Sequence, residues 1–116
     1  KKPQSAGLDH VRRAEELMWA RFEEPVTIAD IAEALGVGLR SLQIAFREHR
    51  GYAPREALIR IRLDEVRKRL CEAGDYQNIS HIAMDCGFTH MGRFSKAYQS
   101  TFGELPSATA RSRSPA

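Results

Sequence analysis

The chain is expected to be all-α, with about seven helices forming two helix-turn-helix subdomains joined by a long connector helix. Three observations lead there. Apolar residues recur at helical spacing along the chain, and nothing reads as a strand. Gly and Pro punctuate the ends of the periodic stretches. The chain also repeats itself. Thr27-Ile28, Ile31-Ala32 and Gly36-Val37 return as Asn78-Ile79, Ile82-Ala83 and Gly87-Phe88, each 51 positions later. Leu42, Ala45, Phe46, Gly51 and Pro54 return as Phe94, Ala97, Tyr98, Gly103 and Pro106, now 52 later. Similar chemistry in the same order, with a single slip, means two copies of one supersecondary element.

Residues 1–7 read as a disordered lead-in. Leu8, Val11, Ala14, Met18 and Phe22 then mark an amphipathic helix that stops near Pro25. Thr27 with Asp30 has the form of an N-cap and an acid three residues on. The short helix that follows runs to Leu35 and is broken by Gly36-Val37-Gly38. Leu39 to Arg50 forms the next helix, with Leu42, Ala45 and Phe46 inward, and Gly51 ends it. These elements make a first subdomain over 8–53. Pro54 opens the connector, 54–74, whose stripe is Ile59, Leu63, Val66 and Leu70, with Gly74-Asp75 as its stop. The second subdomain, 75–111, starts with Asn78 as cap. A helix runs to about Asp85, a turn follows at Cys86-Gly87-Phe88, and a helix spans His90 to Phe102. A short helix follows, and 112–116 is a basic tail.

Composition sets the frame. The 116 residues suffice for one domain or two very small ones, and 42% hydrophobic with 28% charged residues is ordinary for a soluble protein. No apolar run approaches a membrane span, and the first residues lack the apolar core of a signal peptide. Cys71 and Cys86 make no disulfide framework and read as reduced thiols in a cytoplasmic protein. A net charge of +3 and a pI near 9.1 lean only mildly toward anionic partners. The distribution is more telling: Lys and Arg outnumber Asp and Glu between Arg40 and Arg69, whereas acids gather at Glu15-Glu16, Glu23-Glu24, Asp30 and Glu33.

Each repeat is a short helix, a Gly-containing turn and a second helix. Ala32 and Ala83 let the helices approach, Gly36 and Gly87 can adopt the positive φ that ends the first helix, and Val37 and Phe88 plug the corner. Beside the anchors of the second helix lie Arg40, Ser41, Gln43, Ile44 and Arg47 in one copy, and Met91, Gly92, Arg93, Ser95, Lys96 and Gln99 in the other. Arg, Gln and Ser reach base edges in a major groove, and cations neutralise phosphates. Double-stranded DNA is therefore the expected partner. A 20-residue connector is roughly 30 Å long, close to the ~34 Å between successive major-groove faces, which suits a bipartite site read by a monomer. Arg60, Arg62, Arg67, Lys68 and Arg69 surround its stripe, solvated or paired with Glu65 and Glu72.

The pattern Ile31-Ala32-x3-Gly36-Val37, Leu42-x3-Phe46, Gly51, Arg62-Leu63 with Arg67 and Leu70, Ile82-Ala83-x3-Gly87-Phe88, Phe94-Ser95-x2-Tyr98 and Gly103-x2-Pro106 resembles the DNA-binding domain of AraC/XylS-type transcriptional regulators. The resemblance covers about residues 8–111. It implies a transcription regulator that binds a promoter or operator in the cytoplasm, at the nucleoid, with RNA polymerase as a further partner. It also implies that this domain is the carboxy-terminal part of a larger protein whose amino-terminal domain senses an effector or dimerises; the isolated domain would be monomeric. Carried over by position, the base-reading residues are Arg40, Gln43, Ile44, Met91, Gly92, Ser95 and Lys96. Ser41, Arg47, Arg93 and Gln99 would contact the DNA backbone. Thr109 stands where the family often has an aromatic residue, which predicts looser packing of the last helix.

An enzyme is the first rival reading. His10, His49, His81 and His90 form no nucleophilic constellation, and His81-x4-Cys86-x3-His90 resembles metal spacing only loosely, because Cys86 falls where the turn needs a small buried residue. Some DNA-repair methyltransferases carry a similar DNA-binding domain, but neither cysteine sits where a reactive thiolate is expected. No enzyme activity, cofactor or metal is therefore expected. The second rival is a protein-binding helical module, which salt-dependent binding to duplex DNA would exclude.

Overall fold

The computed structural model describes residues 3–73 and 78–113. These residues form seven helices and no strand: α1 (Pro3–Arg21), α2 (Ile28–Leu35), α3 (Leu39–Arg50), α4 (Pro54–Ala73), α5 (Ile79–Asp85), α6 (Met91–Phe102) and α7 (Pro106–Arg113). The expected connector stop at Gly74-Asp75 and the last residues of the basic tail, Ser114 to Ala116, lie outside the described residues. Two compact units divide the chain, Lys1–Ile61 and Arg62–Ala116, and the division falls inside α4.

In the first unit α1 packs against both α2 and α3. Val11, Ala14 and Met18 are fully buried and Phe22 nearly so, on the stripe that the i, i+3, i+4 spacing predicts. They meet Ile31 and Ala32 of α2 and Leu42, Ala45 and Phe46 of α3 in one buried set. At the end of α3, Arg50 donates from Nε to Glu15 Oε2 (2.8 Å) and from Nη2 to Glu15 Oε1 (3.0 Å), a bidentate tie to α1 that holds the guanidinium pKa above its ordinary value.

α1 starts at Pro3, ahead of the expected Leu8. The disordered lead-in is thus too long. Pro is tolerated in a first helical turn, and Gly7 sits where α1 lies against α3. A Cβ on Gly7 would come within 3.1 Å of His49 Nε2, an atom that is itself buried without a hydrogen-bond partner.

The connector stripe also needs correction. Leu63, Val66 and Leu70 are buried as expected, but Ile59 is only half-buried, and Ala57, Leu58 and Ile61 point inward in its place. Four apolar residues within 57–61 satisfy more than one helical register, and the packed neighbours choose among them.

The second unit has an aromatic spine. Phe88 packs on Phe94 (4.9 Å between ring centroids), Phe94 on Tyr98 (5.8 Å) and Tyr98 on Phe102 (4.7 Å), with the Arg67 guanidinium 5.2 Å above the Phe102 ring. Leu63, Val66, Leu70, Ala83, Cys86 and Ala110 complete this core. Thr109 is buried rather than loosely packed. Tyr98 Oη donates to Thr109 Oγ1 at 2.8 Å, and the Thr109 hydroxyl donates to a Glu104 carboxylate oxygen, so a polar chain takes the place of an aromatic contact in holding α7 to α6. Burial pushes the Tyr98 phenol pKa upward. Both cysteines are free thiols, Cys86 buried and Cys71 half-buried.

Candidate nucleic-acid interface

The two turns place α3 and α6 by different local means. The Thr27 hydroxyl accepts from the Asp30 backbone N–H (3.1 Å) while Asp30 accepts from the Thr27 N–H (2.9 Å), a complete capping box at the start of α2. Hydrogen bonds to the Asp30 carboxyl, from the Thr27 backbone N–H first and its hydroxyl second, hold it below its ordinary pKa of 3.8. The equivalent Asn78 makes no side-chain capping bond, so the expected cap of α5 is absent in that sense. Gly36 (φ 70°) and Gly87 (φ 103°) take the left-handed conformations that turn each chain sharply.

Beyond the turns the copies come into register. α3 and α6 each have 12 residues, with N-caps at Gly38 and His90 and left-handed C-caps at Gly51 and Gly103. Every α6 position is therefore its α3 counterpart plus 52, and the extra residue of the second copy lies between Phe88 and His90, outside both helices.

On α3, Leu42, Ala45 and Phe46 are buried and the opposite side carries Arg40, Ser41, Gln43, Ile44 and Arg47, all exposed. Arg40, Gln43, Ile44 and Arg47 line a shallow concavity of about 350 Å³ with Ala53 at its edge. Sequence reasoning missed Ala53, because it contributes only through the turn after Gly51. On α6, Phe94 and Tyr98 are buried; Gly92, Arg93, Lys96 and Gln99 are exposed, while Met91 and Ser95 are half-buried. The aligned pairs are Arg40/Gly92, Ser41/Arg93, Gln43/Ser95, Ile44/Lys96 and Arg47/Gln99.

The charge on these two faces is one-sided. Arg13, Arg21, Arg50 and Arg69 pair with Asp9, Glu24, Glu15 and Glu65. Among the described residues, Arg40, Arg47, Arg93 and Lys96 have no acidic partner. α3 carries a single acid, Glu48 in its last turn, and α6 carries none.

In the sequence His90 stands out only as the first residue of a helix and as part of a loose metal spacing. It is the N-cap of α6: Nδ1 accepts the Arg93 backbone N–H at 3.1 Å, which puts the proton of the neutral ring on Nε2. Histidine is not a usual capping residue; the 52-residue offset from Gly38 was the signal that could have found it. Gly92 makes room for the ring, since a Cβ there would lie 3.2 Å from His90 Cε1. His81 sits 3.9 Å from Asp85 along α5, and the described residues contain no cluster of three metal-ligating side chains. None of the described helices is long and apolar enough to cross a membrane.

A family model described as a helix-turn-helix domain matches residues 31–112. A "Probable thc operon regulatory protein" of Rhodococcus erythropolis is 38% identical over 111 residues, covering 95% of this chain and 33% of that protein. The "XylDLEGF operon transcriptional activator 3" of Pseudomonas putida is 33% identical over 110 residues, covering 94% of this chain and 33% of that one. The chain thus spans about a third of the length of these curated relatives. Among solved structures, a probable AraC family transcriptional regulator from Rhodopseudomonas palustris superposes with a TM-score of 0.84 at 32% identity, covering 92% of this chain and 99% of that one. An AraC-type transcriptional regulator from Chromobacterium violaceum does so at 0.83 and 29%, covering 94% and 96%.

Proposed function

The chain belongs to the AraC/XylS family of helix-turn-helix transcriptional regulators, and from that premise we propose that it binds double-stranded DNA sequence-specifically, with α3 and α6 in the major groove. The observation that carries this reading is the pair of in-register, 12-residue helices that each hold unpaired cations opposite a buried anchor. On a merely solvated face such cations would mix with acids, as they do on α1. Arg40, Gln43 and Ile44, with Met91, Gly92, Ser95 and Lys96, face the bases; Ser41, Arg47, Arg93 and Gln99 face phosphates.

The subdomain limits 8–53, 54–74 and 75–111 describe two reading units and a connector. The operator holds two boxes about one helical turn apart, as the 20 residues of α4 suggest. Regulation takes place in the cytoplasm, at the nucleoid. RNA polymerase is the partner that an activating role requires, and a sensing or dimerisation domain accounts for the additional length of the relatives. The isolated chain is a monomer and performs no catalysis.

Titrating a fluorescent duplex with the chain at several salt concentrations tests the reading. Arg47→Ala and Arg93→Ala should each weaken binding on all sequences and lower the slope of log K against log salt by about 1. Affinity that is absent, or indifferent to salt, would favour a protein-binding helical module instead.

A further inference from the structure

The middle of the α3 reading face is apolar, and the equivalent place on α6 is not. Arg40, Ile44 and Arg47 lie at i, i+4 and i+7 and form one stripe, with Gln43 beside Ile44. The aligned α6 stripe is Gly92, Lys96 and Gln99. Ile44 is 47% exposed, one turn from an unpaired arginine on either side, and lines the concavity with both of them. A face that met only phosphates would carry a cation or a small polar group there.

We propose that Ile44 reads the C5-methyl group of a thymine in the first box, so that this position requires A·T in one orientation. The proposal rests on α3 entering the major groove. In that groove the C5-methyl of thymine is the apolar feature of the base-pair edges, and cytosine presents an N4 amino donor in the same region. The β-branched side chain is nearly fixed at χ1 in a helix, so its methyls are held in place before contact and little rotamer freedom is lost. The amide of Gln43 and the guanidinium of Arg40 supply the hydrogen bonds to neighbouring bases that Ile44 cannot make. The flanking cations disfavour docking against an apolar protein surface, which would bury both guanidiniums without carboxylate partners.

The test uses the chain itself and a duplex selected from a random pool. Each thymine of the selected site is replaced in turn by uracil, which removes only the methyl group. Affinity should fall about fourfold at one thymine, as expected for losing one buried methyl (about 0.8 kcal/mol). Ile44→Ala should bind thymine and uracil equally at that position, while Ile44→Val keeps most of the difference. Because Ile44 is exposed, the variants should fold, which an unchanged helical circular dichroism spectrum would check. The assignment is overturned if duplex binding is intact but no uracil substitution matters, or if Ile44→Ala remains as sensitive as the parent. Unchanged affinity in Ile44→Ala would overturn it too, and would point to a protein contact. Failure to bind any duplex is a different result, and sinks the reading of α3 itself.

Discussion

The α3 and α6 faces are the same surface executed twice with different chemistry. Both helices have the same length, left-handed glycine stops and aromatic anchors in register. Yet α3 offers Arg40, Gln43, Ile44 and Arg47, and α6 offers Gly92, Ser95, Lys96 and Gln99. The first set is long, directional and apolar at its centre. The second has no side chain at Gly92, a short one at Ser95 and a cation at its centre, Lys96. Keeping the scaffold while changing the outward residues lets one element serve two tasks; on the proposed reading the first face discriminates bases and the second mainly holds the duplex. The supports differ as well. Unit one rests on a capping box and a bidentate Arg50–Glu15 tie; unit two rests on an aromatic spine, a capping histidine and a buried Tyr98–Thr109–Glu104 chain.

The largest expected effect concerns the anchors. Phe46→Ala and Phe94→Ala should each cost about 3–5 kcal/mol of stability, measured by urea unfolding. If the units unfold separately, each substitution moves its own transition; a shared shift would show that they unfold as one.

Next comes the difference in reading. Arg40→Ala should cost about 1–3 kcal/mol on the selected duplex and relax preference at one base pair. Equal weakening on every sequence, seen by competition binding, would make Arg40 a phosphate contact and remove the proposed asymmetry.

A smaller effect separates the two caps. Thr27→Ala should destabilise by about 1 kcal/mol, within the range for lost N-caps. Asn78→Ala should cost clearly less, because Asn78 makes no side-chain capping bond. Equal losses in thermal melts would mean that the two turns are supported alike after all.

The smallest effect is in acid. Asp30 is held below 3.8 by bonds from Thr27, the backbone N–H first. A depressed folded pKa adds stability above the unfolded value, and that contribution is lost as pH falls through the folded one. An NMR titration should place the Asp30 midpoint below 3.8. Thr27→Ala should raise it only partway, since the residue-27 N–H donor survives. A midpoint at the ordinary value would show that the box is not formed in solution.

Much of this was legible in the residues alone. The anchors Leu42, Phe46, Phe94 and Tyr98 stand at helical spacing beside polar neighbours, so only one register buries them. Gly36, Gly51, Gly87 and Gly103 end helices where a side chain would resist a positive φ. The outward residues then follow from the inward ones by rotation. None of this needs knowledge of what packs on what, because the local period already excludes the alternatives.

Tertiary structure decided the rest. Leu58 and Ile61, rather than Ile59, face inward on α4, because an apolar-rich segment fits several registers and only its neighbours choose one. α1 extends back to Pro3 and Gly7 lies close against α3, a contact between residues distant in the chain. Thr109 belongs to the core because Tyr98 and Glu104 bond to its hydroxyl, and His90 can cap α6 because Gly92 leaves space for its ring. Helical period is a local property written into consecutive residues. The burial of a polar group or the tolerance of a glycine depends on partners distant in the chain or on the three-dimensional space around them, and folding alone brings those together.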